Sequence, residues 1–538
     1  MFKNQPKGLI PASLANMGER FGFYTMMAIL VLFLQAKFGL NGTDAGLIYS
    51  VFYFSIYILA FVGGLIADKI RNYKGVILTG LLVMALGYVI LAIPTKTPVP
   101  DGKETMFLVL TCFALFVIAF GNGLFKGNLQ ALVGQMYDNE RYGKMRDTGF
   151  SLFYMFINVG AIFAPFTAIG IRNWWLSSKG FLYDANLPNL CHQHLNGTLV
   201  DNVKIAGEGA LVNAHGMAEQ VFALDPASRF QQLAASVSES GAVTNLTAFA
   251  ENYLNVFNTG FHYAFGAAIV AMLISVVIYL INKNKFPSID KAKEKAAAQE
   301  EKADNIKMDA KEIKQRLYAL FAVFGVVIFF WFSFHQNGLT LTMFARDFTD
   351  LSAIKINLGS VSIVGAEIFQ SINPIFIVLL TPIIMGLFGW LRAKGKEPST
   401  PKKIAIGMGI AASAYVLMAI GSGSLPLFSD IDGSPLSDAA KVTPFLLIGT
   451  YLILTIAELF ISPLGISFVS KVAPPHLQGI MQGGWLGATA IGNQLLFIGA
   501  ILYESIPLWL TWTVFVSVCV MSMIVMLFMV KWLERITN

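Results

Sequence analysis

Apolar runs long enough to cross hydrocarbon recur from one end of the chain to the other. Stretches 45–67, 75–95, 105–125, 148–171, 404–429 and 507–530 contain no Asp, Glu, Lys or Arg, and several others are broken by a single charge. A helix spanning a bilayer needs about 20 mainly apolar residues. The pattern predicts twelve such helices, over 12–36, 45–67, 75–94, 105–135, 148–170, 260–282, 317–338, 360–391, 404–421, 445–468, 477–502 and 507–532.

Composition agrees with the pattern. Of 538 residues, 55% are hydrophobic and only 13% charged, and Phe alone occurs 44 times. The mean hydropathy is +0.63. A soluble globular chain carries about 25% charged residues, so these values exclude a soluble multidomain protein, a disordered chain and a nucleic-acid-binding protein. Cys112 and Cys519 lie in apolar runs, which leaves Cys191 without an extramembrane partner and argues against a disulfide framework. Glu19 and Arg20 precede the first long apolar run and do not fit a signal sequence, so no cleavable signal peptide is expected.

Charge sets the orientation. With an even number of spans both termini share one side. Of the 38 Lys and Arg residues, 26 fall in the loops of that side and 10 in the opposite loops, leaving Arg20 and Lys126 inside spans. The positive-inside rule makes the terminal side cytoplasmic. The charged segment 283–316 divides the chain into six spans and six spans, and its composition favours a solvated helix. This gives an N-terminal bundle 1–282, a cytoplasmic linker 283–316 and a C-terminal bundle 317–538. Segment 171–259, on the outer side, is either a small folded cap or a floppy loop. Its Cys191, His192 and His194 are too few and too close together for a metal site, and no cofactor is expected.

An ionisable group near the bilayer centre costs about 2.5–3.5 kcal/mol on insertion scales, so such groups face a cavity or a partner. The candidates are Glu19, Arg20, Lys126, Glu367 and Glu458, with His335 as a titratable sixth. Charges of both signs within twelve spans imply a polar cavity for a zwitterion or another charged small molecule; the alternative is a set of structural salt bridges. Glu458 and Ser462 share a helical face at i, i+4. Glu367, Gln370 and Ser371 do the same at i, i+3 and i+4, just ahead of Pro374, which would open the helix as in discontinuous transporter helices. Glycines and Asn128 surround Lys126 and allow close backbone approach.

The same residues carry a resemblance. "NMGERFGFY" in span one, "GGLIAD" at 63–68, "GNGLFKGNLQALVGQMY" followed by "RDTGFSLFYMFINVGAIFAP" at 146–165, "FQSINPIFI" at 369–377, "ELFISPLGISFVSKVAP" at 458–474 and "MQGGWLGATAIGN" at 481–493 resemble, in order, the signatures of the proton-dependent oligopeptide transporter family of the major facilitator superfamily. The match runs along nearly the whole chain except 171–259. It implies an all-α integral membrane protein with the major facilitator fold: twelve transmembrane helices in two six-helix bundles that rock about a central site. It also implies import of di- and tripeptides coupled to protons, by a functional monomer in the cell (inner) membrane, with neither enzymatic activity nor nucleic acid involved. By the resemblance, Arg20 and Lys126 hold the peptide carboxylate and Glu458 the ammonium. Tyr24, Tyr57, Asn158 and Asn373 bond the peptide backbone, and Trp485 walls a side-chain pocket. Asp68, with Lys69, Arg71 and Lys74, forms a cytoplasmic gating motif. A dipeptide is a dipole of near-fixed length, so cations in one half and an anion in the other would clamp it across the interface and draw the halves together.

Two departures concern the proton. The family's first Glu of span one is Asn16 here, and its acidic residue of span seven is His335. Coupling is therefore expected to run through Glu19, His335 and Glu367, with Glu367 supplying the negative charge lost at His335 if spans seven and eight face each other there. The competing readings are a carrier of another small peptide-like substrate, an uncoupled facilitator, and, from a different class, a receptor or enzyme working through 171–259.

Overall fold

We describe a computed structural model of the chain. It covers residues 5–70, 72–137, 141–142, 145–199, 226–239, 241, 243–287, 310–359, 361–474 and 477–537, with backbone alone at 68, 146–148, 226–228, 463–467, 470, 478–479 and 537. Among these residues, 12 helices are long and apolar enough to cross a membrane. They are Leu9–Phe38, Gly42–Ala67, Tyr73–Ala92, Glu104–Met136, Gly149–Ser178, Leu246–Lys285, Ala310–Asp347, Ala366–Ala393, Thr400–Gly421, Pro444–Ser462, Ile480–Ser505 and Leu508–Ile536, numbered below as spans one to twelve. Helices satisfy every backbone group within one segment, which hydrocarbon demands. Exposed apolar side chains fall in stripes at helical spacing, such as Leu82, Leu86 and Val89 on span three and Val109, Phe113 and Phe116 on span four. These stripes face lipid.

The packing is a repeat. In the first half, span one lies against five and six, span three against four and six, and span two against four. In the second half the same pairs recur six spans later: seven against eleven and twelve, nine against ten and twelve, and eight against ten. The halves meet where span two packs on eleven and span five on eight. Small residues let backbones cross closely. A Cβ at Gly63 of span two would lie 2.1 Å from the Gly123 carbonyl oxygen of span four, and one at Gly123 would lie 2.4 Å from the Leu59 carbonyl oxygen. The glycines around Lys126 therefore serve, first of all, this helix crossing.

Several helices outrun the expected spans. Span six begins at Leu246 rather than at 260 and has 40 residues. At 1.5 Å per residue it is about 60 Å long, about twice the hydrocarbon thickness. Span five runs to Ser178, so Arg172 is helical and buried instead of lying in a loop. Arg346 belongs to the Thr340–Asp347 helix that ends span seven, and Lys37 is buried near the end of span one. Arg172, Arg346 and Lys37, assigned to opposite-side loops, thus lie on the membrane-spanning helices.

The described part of the 171–259 segment is a folded cap. Helices Leu187–Leu195 and Pro226–Val237 pack on the protruding end of span six. Phe181 bridges to Ser238 and meets Phe249 and Tyr253 edge to face, as Phe230 meets Phe249, while Phe249 and Tyr253 stack. In the second half, an antiparallel hairpin pairs Ile356–Leu358 with Val361–Ile363 and packs on span five. Of the charged linker, residues 310–316 continue directly into span seven, while the expected helix over its middle lies outside the described residues.

Candidate functional site

A cavity of about 300 Å³ opens between the halves. The first half contributes Asn16, Arg20 and Tyr24 from span one, Tyr49, Tyr53 and Tyr57 from span two, Lys126 and Gln130 from span four, and Tyr154 from span five. The second half contributes Trp331, His335 and Asn337 from span seven, Gln370 and Asn373 from span eight, Glu458 and Ser462 from span ten, and Trp485 from span eleven.

The charges are asymmetrically distributed. Arg20 grips Glu19 with two bonds, Nε to Oε2 at 2.5 Å and Nη2 to Oε1 at 2.6 Å. Asn122 Nδ2 adds a third donor to Glu19 Oε1 at 2.7 Å. Glu19 sits behind Arg20, fully buried and outside the cavity lining. Lys126 Nζ lies 4.8 Å above the Tyr57 ring, an arrangement that stabilises a cation without neutralising it. Opposite, Glu458 Oε2 accepts from Asn373 Nδ2 at 2.9 Å, and Asn373 also bonds Thr455 Oγ1 at 3.0 Å. The cationic wall belongs to one half and the carboxylate to the other, with a ladder of tyrosines between them.

His335 lies between Trp331 and Tyr53, with both ring centroids 4.7 Å away. Its Nδ1 pairs with Asn493 Oδ1 at 2.5 Å. The expectation that Glu367 faces His335 does not hold. Glu367 turns to span five, where Oε1 accepts from Arg172 Nη1 in a fully buried pair. Residues 366–371 form a 3₁₀ helix and only Ile372 onward is α-helical; the i, i+4 pair Glu367 and Ser371 keeps one side, and Gln370 departs from it. Glu367 and Ser371 point to span five, and Gln370 bonds the Asn337 carbonyl and Thr342. The break just ahead of Pro374 lies where the sequence places it.

Of the remaining candidates, Arg20, Tyr24, Tyr57, Lys126, Asn373, Glu458 and Trp485 all line the cavity. Asn158 does not; it bonds back to the Tyr154 carbonyl at 3.0 Å, and Tyr154 takes its place at the wall. Asp68 and Lys69 fall in the last turns of the Gly42–Ile70 helix, with Lys69 exposed; Arg71 and the Asp68 side chain lie outside the described residues. Lys74 donates to the carbonyls of Lys283 and Phe286 at 3.1 and 2.9 Å and so ties span three to the start of the linker. Sequence reasoning missed Tyr49 and Tyr53, although their spacing from Tyr57 (i, i+4, i+8) marks one helical face.

The end opposite the termini is closed by bonds between the halves. The Gly42 and Thr43 amides donate to Glu504 at 2.5 and 3.1 Å. Arg346 Nη1 donates to Gln35 Oε1 at 2.5 Å. Asn173 Nδ2 donates to the Ser362 and Val364 carbonyls at 2.7 and 3.0 Å. Asn189 and Gln193 of the cap donate to Asp432 at 3.0 and 2.5 Å.

Comparison with known proteins gives this architecture a family. Residues 74–189 and 282–508 match the POT family, well over half of the chain. The chain belongs to the POT family, the proton-dependent oligopeptide transporters. The "Peptide transporter YePEPT" of Yersinia enterocolitica is 28% identical over 503 residues, 91% of this chain and 87% of that protein. "Dipeptide and tripeptide permease B" of Xenorhabdus bovienii is 26% identical over 546 residues, covering 99% and 96%. A crystal structure of a peptide transporter POT in complex with sulfate superposes with a TM-score of 0.68 at 21% identity, covering 100% of this chain and 96% of the other. That likeness establishes the major facilitator fold. This POT family member is a multi-pass membrane protein of a transporter family.

Proposed function

We propose that the chain is a secondary transporter that imports di- and tripeptides by proton symport through alternating access. The observation that carries this reading is the division of charge across the central cavity: Arg20 and Lys126 on one half, Glu458 on the other. A zwitterionic peptide spanning them would link the halves and favour closure around itself. Arg20 and Lys126 would take the carboxylate, and Glu458, held by Asn373, would take the ammonium. Tyr24, Tyr57 and Asn373 would bond the peptide backbone, and Trp485 would pack against a side chain. The names of the relatives support the substrate class. The lysine-rich loops support cytoplasmic termini and placement in the inner membrane of a two-membrane bacterium, with Asp68, Lys69 and Arg71 at the cytoplasmic gate and the monomer as the working unit.

Proton coupling would centre on Glu19. Protonated, it releases Arg20 to the substrate carboxylate, so one contact differs between the two states. Glu367, bonded to Arg172, would act on closure of the outer end rather than through His335. A second reading, an uncoupled facilitator, is favoured by Asn16 and His335 lining the cavity where the resembling family carries acids. Uptake of a labelled dipeptide into proteoliposomes, with and without an inward proton gradient, tests both. Accumulation driven by the gradient supports symport. Equilibration indifferent to gradient and protonophore supports the facilitator, and absence of dipeptide uptake removes the substrate class.

A further inference from the structure

The central cavity does not treat the two signs of charge alike. Among the described residues its lining carries two cations, Arg20 and Lys126, and the imidazole of His335, but a single carboxylate, Glu458. The peptide ammonium would occupy that carboxylate. A lysine or arginine side chain on the same peptide would then find no counter-ion in the described lining, and an uncompensated buried charge is costly. A carboxylate side chain meets the opposite situation at His335.

His335 is held so that one edge of its ring is available. The side chain is 6% exposed. Its ring lies between Trp331 and Tyr53, with both centroids 4.7 Å away, and Nδ1 is tied to Asn493 at 2.5 Å. These contacts fix the ring plane. Nε2 makes no hydrogen bond among the described residues, and it is not one of the atoms sealed off from any space. Because His335 lines the cavity, Nε2 is the atom it offers there. Lys126 lies within electrostatic reach of the ring and adds positive charge to the same region.

Nε2 can serve as a donor in either charge state of the ring. Asn493 Nδ2 has no partner among the described residues, so exchanging the two ends of that carboxamide costs no hydrogen bond. With Nδ2 turned to the ring, Nδ1 accepts and the neutral imidazole carries its hydrogen on Nε2. A protonated ring carries one there in any case. A carboxylate accepts from both forms, and the bond is stronger for being charge-assisted.

We propose that His335 selects the peptide side chain: Nε2 donates to the carboxylate of an aspartate or glutamate side chain, so the carrier prefers acidic dipeptides to neutral ones and disfavours basic ones. The proposal rests on the peptide reading of the central cavity and goes beyond it in naming the side-chain class and the residue that chooses it. A carboxylate in place of His335 would choose the other way.

Isothermal titration of the full chain in detergent tests this with alanyl-glutamate, alanyl-glutamine and alanyl-lysine, and with the three peptides of reversed order. In at least one order, wild type is expected to bind the glutamate peptide about tenfold tighter than its glutamine isostere, and the lysine peptide most weakly. His335→Gln should remove the difference between the glutamate and glutamine peptides. His335→Glu should reverse the ranking, so that the lysine peptide binds tighter than the glutamate peptide. Alanyl-alanine, titrated in parallel, shows whether each variant still holds a peptide. Equal binding of glutamate and glutamine peptides to wild type in both orders overturns the proposal and leaves the peptide reading intact. So does a glutamate preference that persists in either variant that binds alanyl-alanine. The wild-type ranking needs no variant, so the proposal stays open to refutation even where a substitution prevents folding. Absence of binding for every peptide, alanyl-alanine included, overturns the peptide reading and this proposal with it.

Discussion

Arg172 of span five donates from Nη1 to Glu367 Oε1 at the head of span eight, 195 residues further along the chain, and neither side chain is exposed. The guanidinium also lies 4.1 Å from the Tyr183 ring centroid. Leaving one partner of a buried pair alone costs about 3–5 kcal/mol, whereas replacing both by apolar groups is often neutral. Glu367→Gln is expected to lower thermal stability by that order and to loosen the end opposite the termini. The double variant Arg172→Met/Glu367→Met should recover most of the stability. A thermal-unfolding series in detergent checks it, and an additive double variant would show that the two residues do not act as a pair.

If Glu458 holds the substrate ammonium, Glu458→Gln keeps the Asn373 neighbour but removes the charge. A hydrogen bond to a charged group contributes about 1.5–3 kcal/mol, so dipeptide affinity should fall about tenfold to a hundredfold. Affinity for an N-acetylated dipeptide should hardly change. Titration of both ligands distinguishes this from a general loss of structure, which would weaken both.

The opposite wall is open to the mirror-image experiment. Arg20→Gln and Lys126→Gln should each weaken binding of a dipeptide more than of its C-terminal amide. Equal losses for acid and amide would mean that these cations organise the protein rather than the ligand.

Glu19 forms two bonds to Arg20 and is buried behind it. Glu19→Gln should abolish accumulation driven by a proton gradient while sparing exchange of internal for external dipeptide. Counterflow and gradient-driven uptake, measured in the same vesicles, give the comparison; retained accumulation would move coupling elsewhere.

His192 of the cap titrates low because it is buried, with the Ala36 bond working in the other direction. A histidine that stays neutral in the folded chain but protonates when unfolded gives full stability above about pH 6.5, its unfolded value. That stability is lost as pH falls from there toward the lower folded value. Wild type should therefore lose thermal stability between about pH 6.5 and 5 more steeply than His192→Gln. Parallel curves would show that the ring does not contribute.

The spans were legible because a bilayer imposes a length and forbids charge, and few sequences satisfy both by accident. Lys126 and Glu458 stood out for the same reason, as costly exceptions inside apolar runs. Arg172 did not, because the apolar run ends at 171 while the helix continues to Ser178. A span boundary read from hydropathy marks the edge of hydrocarbon, not the end of the helix. The partner of Glu367 was illegible for a different reason: local spacing places neighbours on one helix and says nothing about which distant helix faces them.

The contact of Gly63 with Gly123 constrains how the machine can move. With main chain against main chain, spans two and four lack the side-chain cushion that would let one slide along the other. They behave as a welded plate, and the adjacent Lys126 rides on it. If the halves rock about the central site, as proposed, spans two and four would tilt together as a block. Under that proposal the compliance would reside where the chain changes helical pitch, at Ala366–Ser371, and in the side-chain bonds that close the outer end. A single added methyl at Gly63 would pry the weld apart and move the lysine, with no change at all to the cavity's chemistry.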